Sequence, residues 1–141
     1  MKTFVGTKIV TAKPMSRGEY NAYRGWELPA NEDGSDDGYL VEYGDGGAPN
    51  DERHAGYISW CPAEQFERAN VPVPEVEGKA PHQIRVIAER ADLDARAERL
   101  RNFIMGDTFA GLPPDEQHRL RRQRMLMDEL SAVLGERIAA F

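Results

Sequence analysis

Residues 113–141 read PPDEQHRLRRQRMLMDELSAVLGERIAAF, and this stretch decides the fold. Pro113, Pro114, Asp115 and Glu116 are the residue types a helix N-terminus favours. The first N–H groups there have no intrahelical acceptor, and acids meet the positive end of the helix dipole. Leu120, Met127, Leu134 and Phe141 then recur every seven residues, flanked by Leu130 and Ile138, which draws one apolar stripe along a helix. The same period runs upstream through Val86, Leu93 and Leu100, with Arg90, Ala97 and Ile104 four places after each. Gly106-Asp107 interrupts that upstream helix, leaving a connection of roughly 6–9 residues, short enough for antiparallel neighbours. Residues 82–141 are therefore expected to form a two-helix antiparallel hairpin. Two helices alone cannot bury both sides of such a seam, so the hairpin is expected to dock on the rest of the chain or on a symmetry mate.

Working back toward the N-terminus, Val71-Pro72-Val73-Pro74-Glu75-Val76-Glu77-Gly78 opens an extended, semi-rigid linker over residues 71–81, because proline restricts its own φ and the conformation of its predecessor. Before it lies a module over residues 1–70. Phe4 to Ala12 is rich in β-branched residues and predicts a first strand, ended by Pro14. Ser16 and Glu19 have the spacing of a capping box for a helix over Arg17–Tyr23, which Gly25 stops. Pro29 to Gly38 is a polar, turn-rich loop. Tyr39–Tyr43 and Gly56–Trp60 predict two strands of a long-looped hairpin, with Gly44-Asp45-Gly46-Gly47 as a turn. Pro62 suits the first position of a short helix over Pro62–Ala69. The fold class is α+β: a small antiparallel β-sheet module with short helices, followed by the two-helix hairpin.

Composition narrows the function. The 141 residues are 40% hydrophobic and 30% charged, so the chain is neither disordered nor fibrous. No run approaches the length of a membrane span, and the N-terminus lacks the apolar run and cleavage site of a secretory signal. A single cysteine, Cys61, rules out an internal disulfide framework and suits a reducing cytosol. The net charge of −6 argues against coating DNA, and neither DNA nor membrane is an expected partner. The charge is uneven: residues 1–70 hold 7 Lys/Arg against 12 Asp/Glu, whereas residues 71–141 hold 11 against 12. All but one of the latter cations are arginine, whose forked guanidinium grips phosphate in two places.

Catalytic and metal signatures are missing from the pattern. His54, His82 and His118 are scattered and Cys61 has no partner cysteine, so no metal-ligand spacing arises. His54 is the histidine nearest Cys61 in sequence, but a cap or a half-buried packing residue describes it better than a base. The acidic runs Glu32/Asp33/Asp36/Asp37 and Asp45/Asp51/Glu52 lack calcium-loop spacing and read as solvated loop surface. Gly44 to Gly47 has no following Lys-Ser/Thr pair, so it is a turn rather than a phosphate loop. The expectation is a protein that is not an enzyme and carries no cofactor and no metal.

Two constellations point to binding. Arg17, Arg24, Trp26, Tyr57 and Trp60, with Tyr39 and Tyr43 nearby, combine guanidinium forks for phosphates with rings for bases. Core packing is the competing explanation for any one of those rings. On the last helix, His118, Arg119, Arg121, Arg122 and Arg124 form a basic cluster, with Arg121 and Arg124 the candidates for an anionic ligand. A solvated face paired to Asp115 and Asp128 is the alternative there.

The stretches Arg17 to Pro29, Asp37 to Tyr43 and Gly56 to Pro62 resemble an N-terminal module common in tailed-phage proteins. Arg85–Phe141, through Phe103-Ile104, Phe109, Leu112-Pro113, Glu116-Gln117 and Leu134 to Ile138, resembles the helical hairpin of anti-CBASS and type I anti-Thoeris sponge proteins. In the phage module serine usually stands at the position of Cys61, so the resemblance gives that cysteine no chemistry. The resemblance implies a virus-encoded protein of the host bacterial cytoplasm that captures a cyclic nucleotide immune signal without cutting it. The signal would be a cyclic ADP-ribose isomer or a cyclic oligonucleotide. It also implies a homo-oligomer, dimer-based and up to a hexamer. Arg17, Arg24, Trp26, Tyr57, Trp60, Phe103, Arg121 and Arg124 are then the expected ligand contacts. The alternative is a non-enzymatic adaptor that binds a host or phage protein, and degradation of a nucleotide signal ranks last for want of a base, nucleophile or metal site.

Overall fold

The capping box forms as its spacing demands. Ser16 Oγ accepts the Glu19 N–H at 3.2 Å and the Ser16 N–H donates to Glu19 Oε2 at 2.7 Å, starting α1 (Arg17–Arg24). Gly25 ends that helix with φ 68°, a left-handed conformation that costs glycine nothing. The computed structural model describes residues 1–6, 8–74 and 76–141. Thr7 of the expected first strand and Glu75 of the expected linker lie outside the described residues. The chain divides into two compact units, Met1–Asn70 and Val71–Phe141.

The first unit holds a three-stranded antiparallel sheet in the order β1-β2-β3: β1 (Thr11–Pro14), β2 (Gly38–Tyr43) and β3 (Tyr57–Pro62). The register runs from Thr11↔Glu42 to Pro14↔Tyr39 on one side of β2, and from Gly38↔Pro62 to Tyr43↔Tyr57 on the other. The first strand therefore begins later than its composition predicts. Phe4 to Val10 is rich in strand formers, but among the described residues of this segment only Thr11–Pro14 pair with β2, and propensity without a ladder partner does not make a strand. Pro62 closes β3 and stands just before α2 (Ala63–Ala69) rather than inside it.

Alternation along the strands sends Leu40, Ile58 and Trp60 to one face, where Met15 and Tyr20 complete a core with Tyr23 packed against it. Val41 points to the other face and is 2% exposed. On that face Phe66 of α2 stacks on Tyr39 with ring centroids 4.4 Å apart. Gly38 is required by Trp60: a Cβ at position 38 would sit 2.4 Å from the indole. The indole Nε1–H donates to Met15 O at 2.9 Å, which fixes the ring over β2. In the loop between β2 and β3, Asn50 donates to Ile58 O at 2.9 Å and accepts the Ile58 N–H at 2.8 Å.

The second unit is a helical hairpin. α3 (Pro81–Ile104) and α5 (Pro114–Ala139) are joined through a one-turn helix, α4 (Asp107–Ala110). Pro81 occupies the start of α3, and Gln83 Oε1 reaches back to accept the Ala80 N–H at 2.9 Å. The seam between α3 and α5 is built from Val86, Leu93 and Leu134, with Met127 and Ile138 half-buried against them. Where the stripe on α3 passes through Arg90, its partner layer is polar: Arg90 Nε donates to Ser131 Oγ at 3.4 Å, and Ser131 donates to Asp94 at 2.5 Å. Gly135 leaves room for that guanidinium, since a Cβ there would meet Arg90 Nη1 at 2.9 Å. α4 was not legible as a helix. It exists because Phe109 tucks inward, and because Gln117 ties the turn down with hydrogen bonds to Leu112 O at 2.9 Å and Ala110 O at 3.3 Å. Among the described residues, no helix is long and apolar enough to cross a membrane.

Candidate functional site

In the first unit, both expected phosphate-gripping arginines have protein partners. Arg17 projects from the start of α1 between two loop acids, with Nη1 donating to Glu32 at 2.9 Å and Nε to Asp36 at 3.1 Å. Its guanidinium lies 4.3 Å from the Trp60 ring centroid. Arg24, at the other end of α1, donates to Asn50 O at 3.1 Å and to the Tyr20 hydroxyl at 3.3 Å, with Asp51 3.8 Å away. Its guanidinium covers Trp26 at 4.4 Å. Each arginine is thus brought to a tryptophan, as Arg17–Trp60 and Arg24–Trp26, but with its charge already matched.

The rings differ in access. Trp60 belongs to the core and has its indole N–H satisfied. Trp26 is half exposed, set edge-on to Tyr20 at 6.1 Å. Tyr57 is likewise half exposed, at the end of β3 beside Tyr43 at 6.4 Å. Trp26 and Tyr57 therefore have open faces that a base could stack on, whereas Trp60 offers none on its packed side.

The loop acids do more than coat the surface. Asp51 receives Arg53 at 2.6 and 2.8 Å, and those hydrogen bonds hold its carboxyl far below the ordinary carboxylate range. Arg53 in turn lies 3.6 Å over the Tyr23 ring. His54 is a half-buried packing residue with both ring nitrogens engaged, Nδ1 to Glu42 and Nε2 to the Tyr23 hydroxyl, each at 2.9 Å. The bond to His54, joined by the Gly56 N–H at 2.9 Å, lowers the Glu42 pKa. These partners come from a loop whose local sequence carries only turn signals, so nothing in the pattern announced them.

In the second unit, Phe103 at the end of α3 meets the buried Phe109 edge to face at 6.3 Å. The Arg121 guanidinium of α5 lies over the Phe109 ring, 5.0 Å from its centroid. Phe103 remains 39% exposed. The hairpin therefore gathers two of its expected contacts, Phe103 and Arg121, around Phe109. Arg124 is placed differently: its side chain is mostly buried and paired with Asp128, and its Nε has no hydrogen-bond partner among the described residues. Of the other arginines in the basic cluster, Arg119 is held by Glu116 at 2.7 Å. Among the described residues, Arg121 and Arg122 have no carboxylate within ion-pairing distance. The expected solvated, acid-paired face thus describes Arg119, whereas Arg124 is acid-paired but buried, and Arg121 and Arg122 are not acid-paired. Among the described residues, no group of three His, Cys, Asp or Glu side chains is arranged to hold a metal ion.

Residues 80–140, the hairpin, match the model of a family described as Sequestin. No curated protein and no solved structure matches the chain.

Proposed function

We propose that this protein is a non-catalytic binder that sequesters a cyclic nucleotide immune signal, a cyclic ADP-ribose isomer or a cyclic oligonucleotide, on behalf of a phage in its bacterial host. The observation that carries this reading is the hairpin itself. Its matched family is named for sequestration, and it brings Arg121, which has no acidic partner among the described residues, over Phe109 and thus to the half-exposed Phe103. Arginine forks suit phosphates and an aromatic face suits a base, so the two together suit a nucleotide better than a peptide. Trp26 and Tyr57 are the stacking candidates of the first unit, and Arg17 and Arg24 would contribute only by exchanging a protein carboxylate for a ligand phosphate. The chain acts as a homo-oligomer in this reading, with several copies supplying the ligand contacts.

The test is to incubate the purified protein with cyclic ADP-ribose isomers and with cyclic di- and trinucleotides, follow the thermal shift, and recover the nucleotide by heat. Tight binding with intact nucleotide after long incubation is the expected result. No shift with any of them, together with a stoichiometric protein partner captured from infected cells, would replace this reading with the adaptor. Recovery of a cleaved product would make the protein an enzyme.

A further inference from the structure

β1 is an outer strand of the sheet, and one hydrogen bond tells which of its backbone groups face outward. The Met15 N–H donates to Gly38 O at 2.9 Å, so Met15 faces β2. Residues along an antiparallel strand point their N–H and C=O groups to alternate sides, and Lys13 and Thr11 therefore face β2 as well. Pro14 and Ala12 face the open edge, where Pro14 has no N–H to offer. Carried upstream, the same alternation turns Val10, Lys8, Gly6 and Phe4 outward. Among the described residues, none from Met1 to Ile9 makes a backbone hydrogen bond. Phe4 and Val5 are 86% and 88% exposed, and Ile9 is 43% exposed. The segment has the composition of a strand and the bare backbone of one; what it lacks is a neighbour.

Charge selects that neighbour. Residues 1–14 hold Lys2, Lys8 and Lys13 and no acid, whereas residues 15–70 hold four arginines against twelve acids. Lys8 approaches Asp45 at 3.7 Å, with the side chains 58% and 54% exposed, which makes it a weak surface pair. Lys2 and Lys13 have no ion-pair partner among the described residues. The same segment of a second copy would lay lysine against lysine, and an anionic bilayer would meet a unit rich in acids. We propose that β1 and the segment before it take up an extended, acidic segment of a different protein as an added antiparallel strand. Its backbone pairs with Phe4, Gly6, Lys8, Val10 and Ala12. Its carboxylates stand opposite the lysines, and its apolar side chains stand opposite Phe4, Val5 and Ile9. The strand that the sequence predicts from Phe4 onward then forms on binding. This docking is independent of the nucleotide and of the hairpin.

The probe is a labelled peptide of sequence ETTVVETTVVTE. Laid antiparallel, it sets its glutamates opposite Lys13, Lys8 and Lys2 and its valines opposite Val10, Ile9, Val5 and Phe4. Fluorescence anisotropy with the full chain reads binding, and residue-resolved hydrogen exchange by nuclear magnetic resonance reads the pairing. The expected result is binding with slowed exchange at the alternate amides of Phe4, Gly6, Lys8, Val10 and Ala12, and unchanged tryptophan emission. The peptide KTTVVKTTVVTK should bind at least about tenfold more weakly. Gly6→Pro removes one outward N–H without touching the β1–β2 ladder, and it should weaken the acidic peptide about tenfold. Gly6→Ala should leave the affinity unchanged, because a Cβ at position 6 meets nothing within 4 Å. No binding of the acidic peptide, equal affinity for the two peptides, or an affinity indifferent to Gly6→Pro would each overturn the proposal. Slowed exchange that appears without peptide and grows with protein concentration would overturn it as well, since the segment would then be pairing with its own copy.

Discussion

Leu134→Ala and Leu130→Ala delete the same atoms four residues apart on α5, and the structure assigns them very different costs. Leu134 is 2% exposed and packed among Val86, Leu93, Met127 and Ile138. Losing three buried carbon groups at about 0.8 kcal/mol each removes about 2.4 kcal/mol of transfer free energy. The cavity left between α3 and α5 brings the total to about 3–4 kcal/mol. Leu130 is 44% exposed, so its truncation opens no closed cavity and forfeits about 1 kcal/mol. Urea unfolding followed by far-ultraviolet circular dichroism reads this, because α3 and α5 hold most of the helix in the chain. Both tryptophans, Trp26 and Trp60, lie in the first unit, so their emission separates events there from loss of the hairpin. For a unit of this size, about 3 kcal/mol corresponds to a drop in melting midpoint of at least about 12 °C. In dilute protein, Leu134→Ala should move the helical transition by at least twice the shift of Leu130→Ala. Equal shifts at high dilution, or a Leu134→Ala cost under about 1 kcal/mol, would refute the assignment of Leu134 to the seam.

Gly38→Ala should evict the Trp60 indole, break its bond to Met15 O and expose the ring, costing about 2–3 kcal/mol and red-shifting tryptophan emission. Gly25→Ala, forced into a left-handed conformation, should cost about 1 kcal/mol in the same unfolding assay. The carboxyls of Asp51, Glu42, Glu19 and Asp33 all have depressed pKa values in the folded chain, held by Arg53, His54, Ser16 and Ser35 respectively. Their contribution is fully present above the unfolded carboxylate range of about 4 and is lost as pH falls through the lower folded values. The first unit should therefore lose stability on acidification below about pH 4, and Asp51→Asn should flatten that dependence. Phe103→Ala and Arg121→Ala should each weaken nucleotide binding about tenfold without changing helical content; unchanged affinity in both would remove the hairpin tip from the ligand site.

The sequence was most informative where the signal is local. The Ser16–Glu19 box, the Gly25 stop and the seven-residue repeats depend on neighbours a few positions away, and β2 and β3 each carry strand-forming residues in their own short stretch. The first strand begins later than Phe4 to Val10 suggest because strand character needs a ladder partner, and the β1–β2 register begins at Thr11↔Glu42. Arg17 and Arg24 stand out in the sequence as guanidinium forks beside aromatic rings, but their pairing with Glu32, Asp36 and Asn50 is a long-range matter that composition does not encode. Arg121 and Phe103 were readable as residue types, whereas their meeting at Phe109 depends on a turn of helix that exists only through tertiary contacts. Leu130 reads in the sequence as flanking the main seam but is exposed with Leu126 and Val133, because a helix with two apolar faces blurs the single period that marks an amphipathic one.

Asn50 has a bearing on how such a module survives being crowded with copies of itself. An outer strand normally offers bare N–H and C=O groups to any passing chain, and that is how sheets grow into fibres. The primary amide of Asn50 has the same donor and acceptor as a peptide group, and by taking both from Ile58 it stands in for the first residue of a fourth strand. The opposite margin, β1, is four residues long and closes on a proline that has no N–H to give. Blunted at Ile58 on one side and at Pro14 on the other, the sheet offers fewer bare backbone groups to a passing strand.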